Sequence, residues 1–130
     1  QQTAEWNSEK AQQIVQSVID SGKSFNVIYA ENDDMAKGAV AALDKANIPH
    51  GVGKDVVVMG FDCNKWALEE LLNQNWNYDG QCNPYQASYI EDVIKKLESG
   101  EKIDEKTIIM DEKGFDATTI TQDDVDQFGI

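Results

Sequence analysis

VVVMGFDCNKWALEELL, Val56 to Leu72, begins as an unbroken apolar run, passes through Gly60 and reaches an acid, Asp62, where the run stops. An apolar run of this length without polar alternation is the mark of a strand buried in a parallel sheet. Trp66, Leu68, Leu71 and Leu72 then recur at helical spacing. The segment reads as strand, short loop, helix, with a carboxylate standing at the junction.

The same order repeats on both sides. Upstream, FNVIYA (Phe25 to Ala30) is short and β-rich, and it leads into Asn32-Asp33, which reads as a helix cap before Met35, Ala36, Ala39, Val40, Leu43 and Ala46. Asn47, Pro49, Gly51 and Gly53 close that helix. Downstream, Tyr78 to Cys82 is a third, weaker strand, and Tyr89, Ile90, Val93, Ile94 and Leu97 stripe a helix that ends at Gly100. A further helix, roughly Ser8 to Ser21, opens after Asn7-Ser8 and stops at Gly22. KTIIM, Lys106 to Met110, is expected as a last strand before an acidic, turn-rich tail. Strands alternating with helices predict an α/β fold, a parallel-sheet three-layer sandwich with helices on both faces. At 130 residues the chain holds one such domain.

Composition removes several functions. Eleven basic against 24 acidic residues give a formal charge of −13, which repels phosphate backbones and anionic membrane surfaces, so nucleic acid is excluded as a partner. No window reaches the apolar length of a membrane span, and QQTAEWNSEK lacks the pattern of a secretion signal. Cys63 and Cys82 lack C-x-x-C spacing, so no zinc site is expected; a bridge between them requires only that their loops adjoin. HGVGKD, His50 to Asp55, precedes a strand where a phosphate loop would follow one, and it reads as a turn. His50, with no framed nucleophile, reads as a surface loop residue, and no cofactor motif is present.

In open α/β sheets, ligands collect outside the carboxyl ends of the strands. Asp62, Asn32 and Cys82-Asn83 all fall at such ends, so three successive units aim polar side chains at one rim. Each has a structural alternative: Asp62 or Asn32 can cap the following helix, and Cys82 can be a small buried residue. Trp6, in the polar stretch TAEWNSE, either packs the first helix onto the sheet or offers a stacking platform. Asp33, Asp34 and Asp62 could also gather as magnesium ligands of a receiver-like phospho-acceptor domain, although their order and the lack of a lysine at a final strand end argue against it.

AENDDMAKGAVAAL, then DVVVMGFD, then QCNPYQASYIEDVIKKLESGE resembles the carboxyl-terminal lobe of bacterial sugar-binding proteins of the ribose/galactose type, the type I periplasmic binding proteins, and the C-N-P stretch is most similar to galactofuranose binders. The resemblance covers nearly the whole chain. It implies a flavodoxin-like lobe, no enzymatic activity, and a two-lobed parent that closes on a monosaccharide and delivers it to an ABC importer's permease. It also implies an extracytoplasmic setting, with membrane attachment only through a lipid anchor on the parent or through the permease.

Carried over by position, the resemblance makes Asn32 and Asp62 hydrogen-bonding partners of sugar hydroxyls and lays Trp6 against the sugar ring. Cys82 stands where an amide is usual, so Gln81 or Asn83 is expected to take over that contact. The first lobe, with the first strand and helix of the second, is missing from the pattern, so the chain reads as a fragment that binds sugar weakly or not at all. The helix over 85–99 would pack on the absent lobe and is expected to support homodimer contacts. A sugar-responsive LacI-type regulator core shares the fold and is the nearest alternative.

Overall fold

The computed structural model describes residues 1–104 and 106–130. Nine elements follow one another: α1 (Ser8–Asp20), β1 (Val27–Tyr29), α2 (Asp33–Lys45), β2 (Val57–Asp62), α3 (Lys65–Leu72), β3 (Tyr78–Gln81), α4 (Ala87–Glu98), β4 (Gly114–Asp116) and α5 (Gln122–Phe128). Asn7 caps α1, its side chain accepting the Lys10 N–H, and Asn32 caps α2 in the same way through Met35. Thr121 and Asp124 form a reciprocal capping box at the start of α5.

The four strands form one sheet in the order β1-β2-β3-β4, parallel from β1 to β3, with β4 antiparallel to β3. KTIIM is not a strand; the fourth strand is GFD, Gly114 to Asp116, within the acidic, turn-rich tail. Ile108 and Ile109 are exposed, so the apolar character of KTIIM does not correspond to burial in this chain.

Two right-handed crossovers that advance in the same direction along a sheet place their helices on the same face. Here β1-α2-β2 and β2-α3-β3 both do so, and the core lies between that face and α1, α2, α3 and α5. Val58, Leu43, Ala36, Leu68, Leu71, Trp76, Phe115 and Val125 fill it. On the opposite face Val27 and Tyr29 are exposed and Val57, Met59 and Phe61 only half-buried, with Tyr29 and Phe61 in tilted ring contact at 5.2 Å. The sandwich is therefore partial: one face of the sheet is covered and the other is open among the described residues.

Helix α1 docks on α2 at Gly38, where a Cβ would come within 2.0 Å of the Ser8 carbonyl oxygen. Helix α4 buries none of its residues, and its stripe of Tyr89, Ile90, Ile94 and Leu97 faces solvent. His50, expected on the surface, is largely covered: Nδ1 lies 2.9 Å from the Asn75 carbonyl oxygen and Nε2 3.0 Å from Asp44 Oδ1. The turns around it bring α2 and the end of α3 close enough to enclose the ring.

Candidate functional site

Because β1, β2 and β3 are parallel neighbours, their carboxyl ends share one edge of the sheet. Asn32 follows β1, Asp62 ends β2 in register with Gln81 of β3, and Cys82 and Asn83 come directly after. The topology therefore brings Asn32, Asp62, Cys82 and Asn83 to the same margin.

Their side chains are committed to different degrees. Asn32 Oδ1 accepts the Met35 N–H at 2.9 Å, so this residue does cap its helix, while its Nδ2 hydrogens bond nothing in the described chain. Asp62 does not cap: the N-cap position of α3 is Asn64, whose side chain makes no capping bond. The half-buried Asp62 carboxylate accepts no hydrogen bond and joins no ion pair among the described residues. Burial, and then the nearby Asp34 charge, raise its pKa above the ordinary carboxylate value. An acceptor that is partly desolvated and unpaired at a rim is suited to hydroxyl donors from a ligand.

The backbone at Asp62 is as unusual as its side chain. Asp62 and Cys63 have φ values of 117° and 60°, a region that non-glycine residues rarely enter and that costs on the order of 1–3 kcal/mol per residue. Surrounding bonds hold the turn. Asp33 Oδ2 accepts from the Asn64 N–H at 2.9 Å and from Asn64 Nδ2 at 3.1 Å. The Ile130 N–H donates to the Cys63 carbonyl, and the Lys65 N–H donates to the Ile130 carbonyl, each at 3.0 Å.

At the third strand end, Gln81 Oε1 accepts the Lys113 N–H at 3.2 Å, which ties that amide to the segment before β4. Asn83 Oδ1 accepts the Tyr85 N–H at 2.8 Å, and the Asn83 N–H donates to Glu112 Oε1 at 2.7 Å. Cys82 is exposed and makes no side-chain bond among the described residues, whereas Cys63 is buried; both are free thiols, so the two are not bridged. Cys63 turns inward because the left-handed turn that presents Asp62 rotates the next side chain into the core.

Trp6 is 67% exposed and does not pack α1 onto the sheet. Asn7 takes the cap, and Trp6 before it has a left-handed φ of 58°, which turns the indole outward. It helps to wall a groove of about 740 Å³ together with Gln1, Tyr29, Ala30 and Glu31, beside the end of β1. Asn32, Asp62, Cys82 and Asn83 do not line that groove, so the indole shares no enclosed pocket with the amides or the acid.

Asp33, Asp34 and Asp62 do not form a metal set: the Asp33 carboxylate points inward to Asn64 and is fully buried, which separates it from the exposed Asp34. Sequence reasoning missed Asn64 and Asp79 altogether, and it missed that Asp33 is buried with them. Their only sequence signal is Gly60 in the middle of an apolar strand, where the absence of a side chain permits a close approach.

The periplasmic binding protein domain model matches residues 1–102. The chain belongs to the periplasmic binding protein domain family. Members of this family bind solutes and are not enzymes. The fructose import binding protein FruE of Bifidobacterium longum is 31% identical over 120 residues, 91% of this chain and 35% of that protein. The galactofuranose-binding protein YtfQ of Escherichia coli is 25% identical over 81% of this chain and 33% of its own length. A solved structure from Mycobacterium smegmatis in complex with β-D-fucofuranose is 26% identical and superposes with a TM-score of 0.76, covering 90% of this chain and 38% of that one. The chain thus spans about a third of the length of these curated relatives.

Proposed function

We propose that this chain is the carboxyl-terminal lobe of a sugar-binding protein and carries one wall of its ligand cleft. The parent would serve an extracytoplasmic ABC sugar importer by handing a monosaccharide to the permease. The observation that carries the reading is the unpaired, half-buried Asp62 carboxylate at the carboxyl end of β2, beside Asn32 at the end of β1. A carboxylate accepts two hydroxyl donors and an amide NH₂ supplies donors, which together match adjacent ring hydroxyls. Trp6 offers the apolar C–H side of a sugar an aromatic face. The relatives whose names mention fructose import, galactofuranose or fucofuranose support a sugar, and make furanose forms the first to try.

In this reading Asn83 assists from the third strand end, and Cys82 borders the ligand without a strong bond to it. The other lobe would supply the opposite wall. Half a cleft leaves the hydroxyls in water, where a protein–sugar hydrogen bond gains little over a water–sugar one, so affinity is low. The test is a titration of the chain with D-fructose, L-arabinose and D-galactose, followed by ¹⁵N–¹H NMR. Fast-exchange shifts at the Trp6 indole, Asn32 and the Asp62–Asn64 backbone are expected at millimolar sugar, and Asp62→Ala abolishes them. Shifts confined to the surface around His50, or none at the rim with any sugar, would overturn the reading.

A further inference from the structure

Behind the rim lie two acids that the ligand reading does not use. Asp33 and Asp79 are both 0% exposed. Their four carboxyl oxygens can be accounted for one by one. Asp33 Oδ2 accepts the two bonds from Asn64, and Asp79 Oδ1 lies 3.8 Å from the Cys63 thiol, which donates to it. That leaves Asp33 Oδ1 and Asp79 Oδ2, each buried and without a partner among the described residues.

The two orphan oxygens belong to neighbouring groups. A Cβ on Gly60 would come within 2.5 Å of Asp33 Oδ1, so this oxygen sits directly over Gly60. Gly60 is the register partner of Asp79 across β2 and β3, and paired residues in a parallel ladder face the same side of the sheet. Two ionised carboxylates in such a position repel each other, and neither can donate. A single proton removes both difficulties, because it turns one orphan into a donor and the other into its acceptor.

We propose that Asp33 and Asp79 share one proton between these oxygens, and that the pair clamps the strained β2–α3 turn through Asn64 so that Asp62 is held at the rim. Asp79 carries the proton and Asp33 remains the anionic acceptor of the Asn64 bonds. Both are positioning residues for Asp62. That last role rests on the reading of Asp62 as a ligand-binding residue; the clamp itself does not.

The surroundings favour this assignment. The titratable groups that face the pair are Cys63 and Asp62, from the end of β2 and its turn, and no lysine bonds either acid among the described residues. Burial, then the Asp33 charge, push Asp79 up to about 9, and burial raises Asp33 as well. Burial also pushes the Cys63 thiol far up, with the neighbouring carboxylates acting in the same direction, so the thiol stays protonated and can donate.

The folded chain therefore keeps on Asp79 a proton that the unfolded chain releases near the ordinary carboxylate value of about 3.9. Stability falls as pH rises through the interval between the two values and levels once Asp79 ionises. One retained proton changes the unfolding equilibrium constant by about tenfold per pH unit within that interval. The Asp79→Asn amide can donate to Asp33 Oδ1 in place of the acid, so it should fold and lack this slope.

Two measurements without ligand test the clamp. In the wild-type chain, ¹³C NMR of the carboxyl carbons should show Asp79 unchanged through the ordinary range and titrating near pH 9, with the Asn64 amide shift following the same curve. Urea midpoints between pH 5 and pH 9 should fall more steeply for wild type than for Asp79→Asn. Ordinary titration of both carboxyl carbons, or parallel wild-type and variant profiles, would overturn the proposal. The carbon titration needs no variant, and failure of the sugar titration would leave both measurements intact.

Discussion

The side-chain oxygen of Asn32 accepts the Met35 N–H, while its NH₂ group is uncommitted, so capping and ligand contact use different atoms of one residue. Two substitutions separate them. Asn32→Ala removes the cap and should cost about 1 kcal/mol of stability, whereas Asn32→Asp keeps an acceptor and should stay within a few tenths of wild type. Both lose the donors, so both should lose the sugar-induced shifts at the rim. Urea unfolding and the NMR titration report the two effects independently. The cap was legible in the sequence because N-D-D stands directly before an apolar stripe of helical period. The burial of Asp33 was not, since an acid in the first turn of a helix ordinarily faces water. Only the contact with Gly60 on a distant strand, and the bonds from Asn64 on the turn beyond it, explain why this one does not.

At the scale of elements, two glycines set the spacing of the layers. A Cβ on Gly38 would lie 2.0 Å from a backbone oxygen of Ser8, which cannot move without α1 moving. On Gly60 it would meet the Asp33 carboxylate at 2.5 Å and the Trp76 ring at 3.0 Å. Each substitution to Ala overpacks a tight contact and should cost about 1–3 kcal/mol. The consequences differ: Gly38→Ala should raise amide exchange across α1, and Gly60→Ala should raise it in the β2–α3 turn, a difference that hydrogen-exchange mass spectrometry resolves. The order of elements from α1 to α4 could be read from period and punctuation, because β1, β2 and β3 precede amphipathic helices with identifiable stops. The last strand could not. KTIIM has the composition of a strand but is left uncovered among the described residues, while GFD has three residues, one of them glycine, and owes its strand state to pairing with β3. Pairing of that kind depends on a partner far away in the sequence, and no local pattern encodes it.

For the molecule as a whole, the apolar surfaces left uncovered are as informative as the core. One face of the sheet shows Val27 and Tyr29, and α4 shows Tyr89, Ile90, Ile94 and Leu97 without a buried residue along its length. In the proposed two-lobed protein the α4 stripe packs on the other lobe; in the isolated chain the same stripe is available to a second copy. Apolar stripes of this size favour association. We therefore expect a sedimentation coefficient that rises with protein concentration. Changing Ile90 and Ile94 together to Lys should abolish the rise. Because both side chains are about half exposed and join no core, the pair should alter monomer stability little, on the order of 0.5 kcal/mol or less per site. A concentration-independent monomer, or a double variant that unfolds instead of dissociating, would count against pairing through α4. The rim at Asp62 lies on separate elements, so the double variant should also keep the sugar-induced shifts of the wild-type chain. Their loss would mean that the second copy, and not the strand ends alone, completes the binding surface.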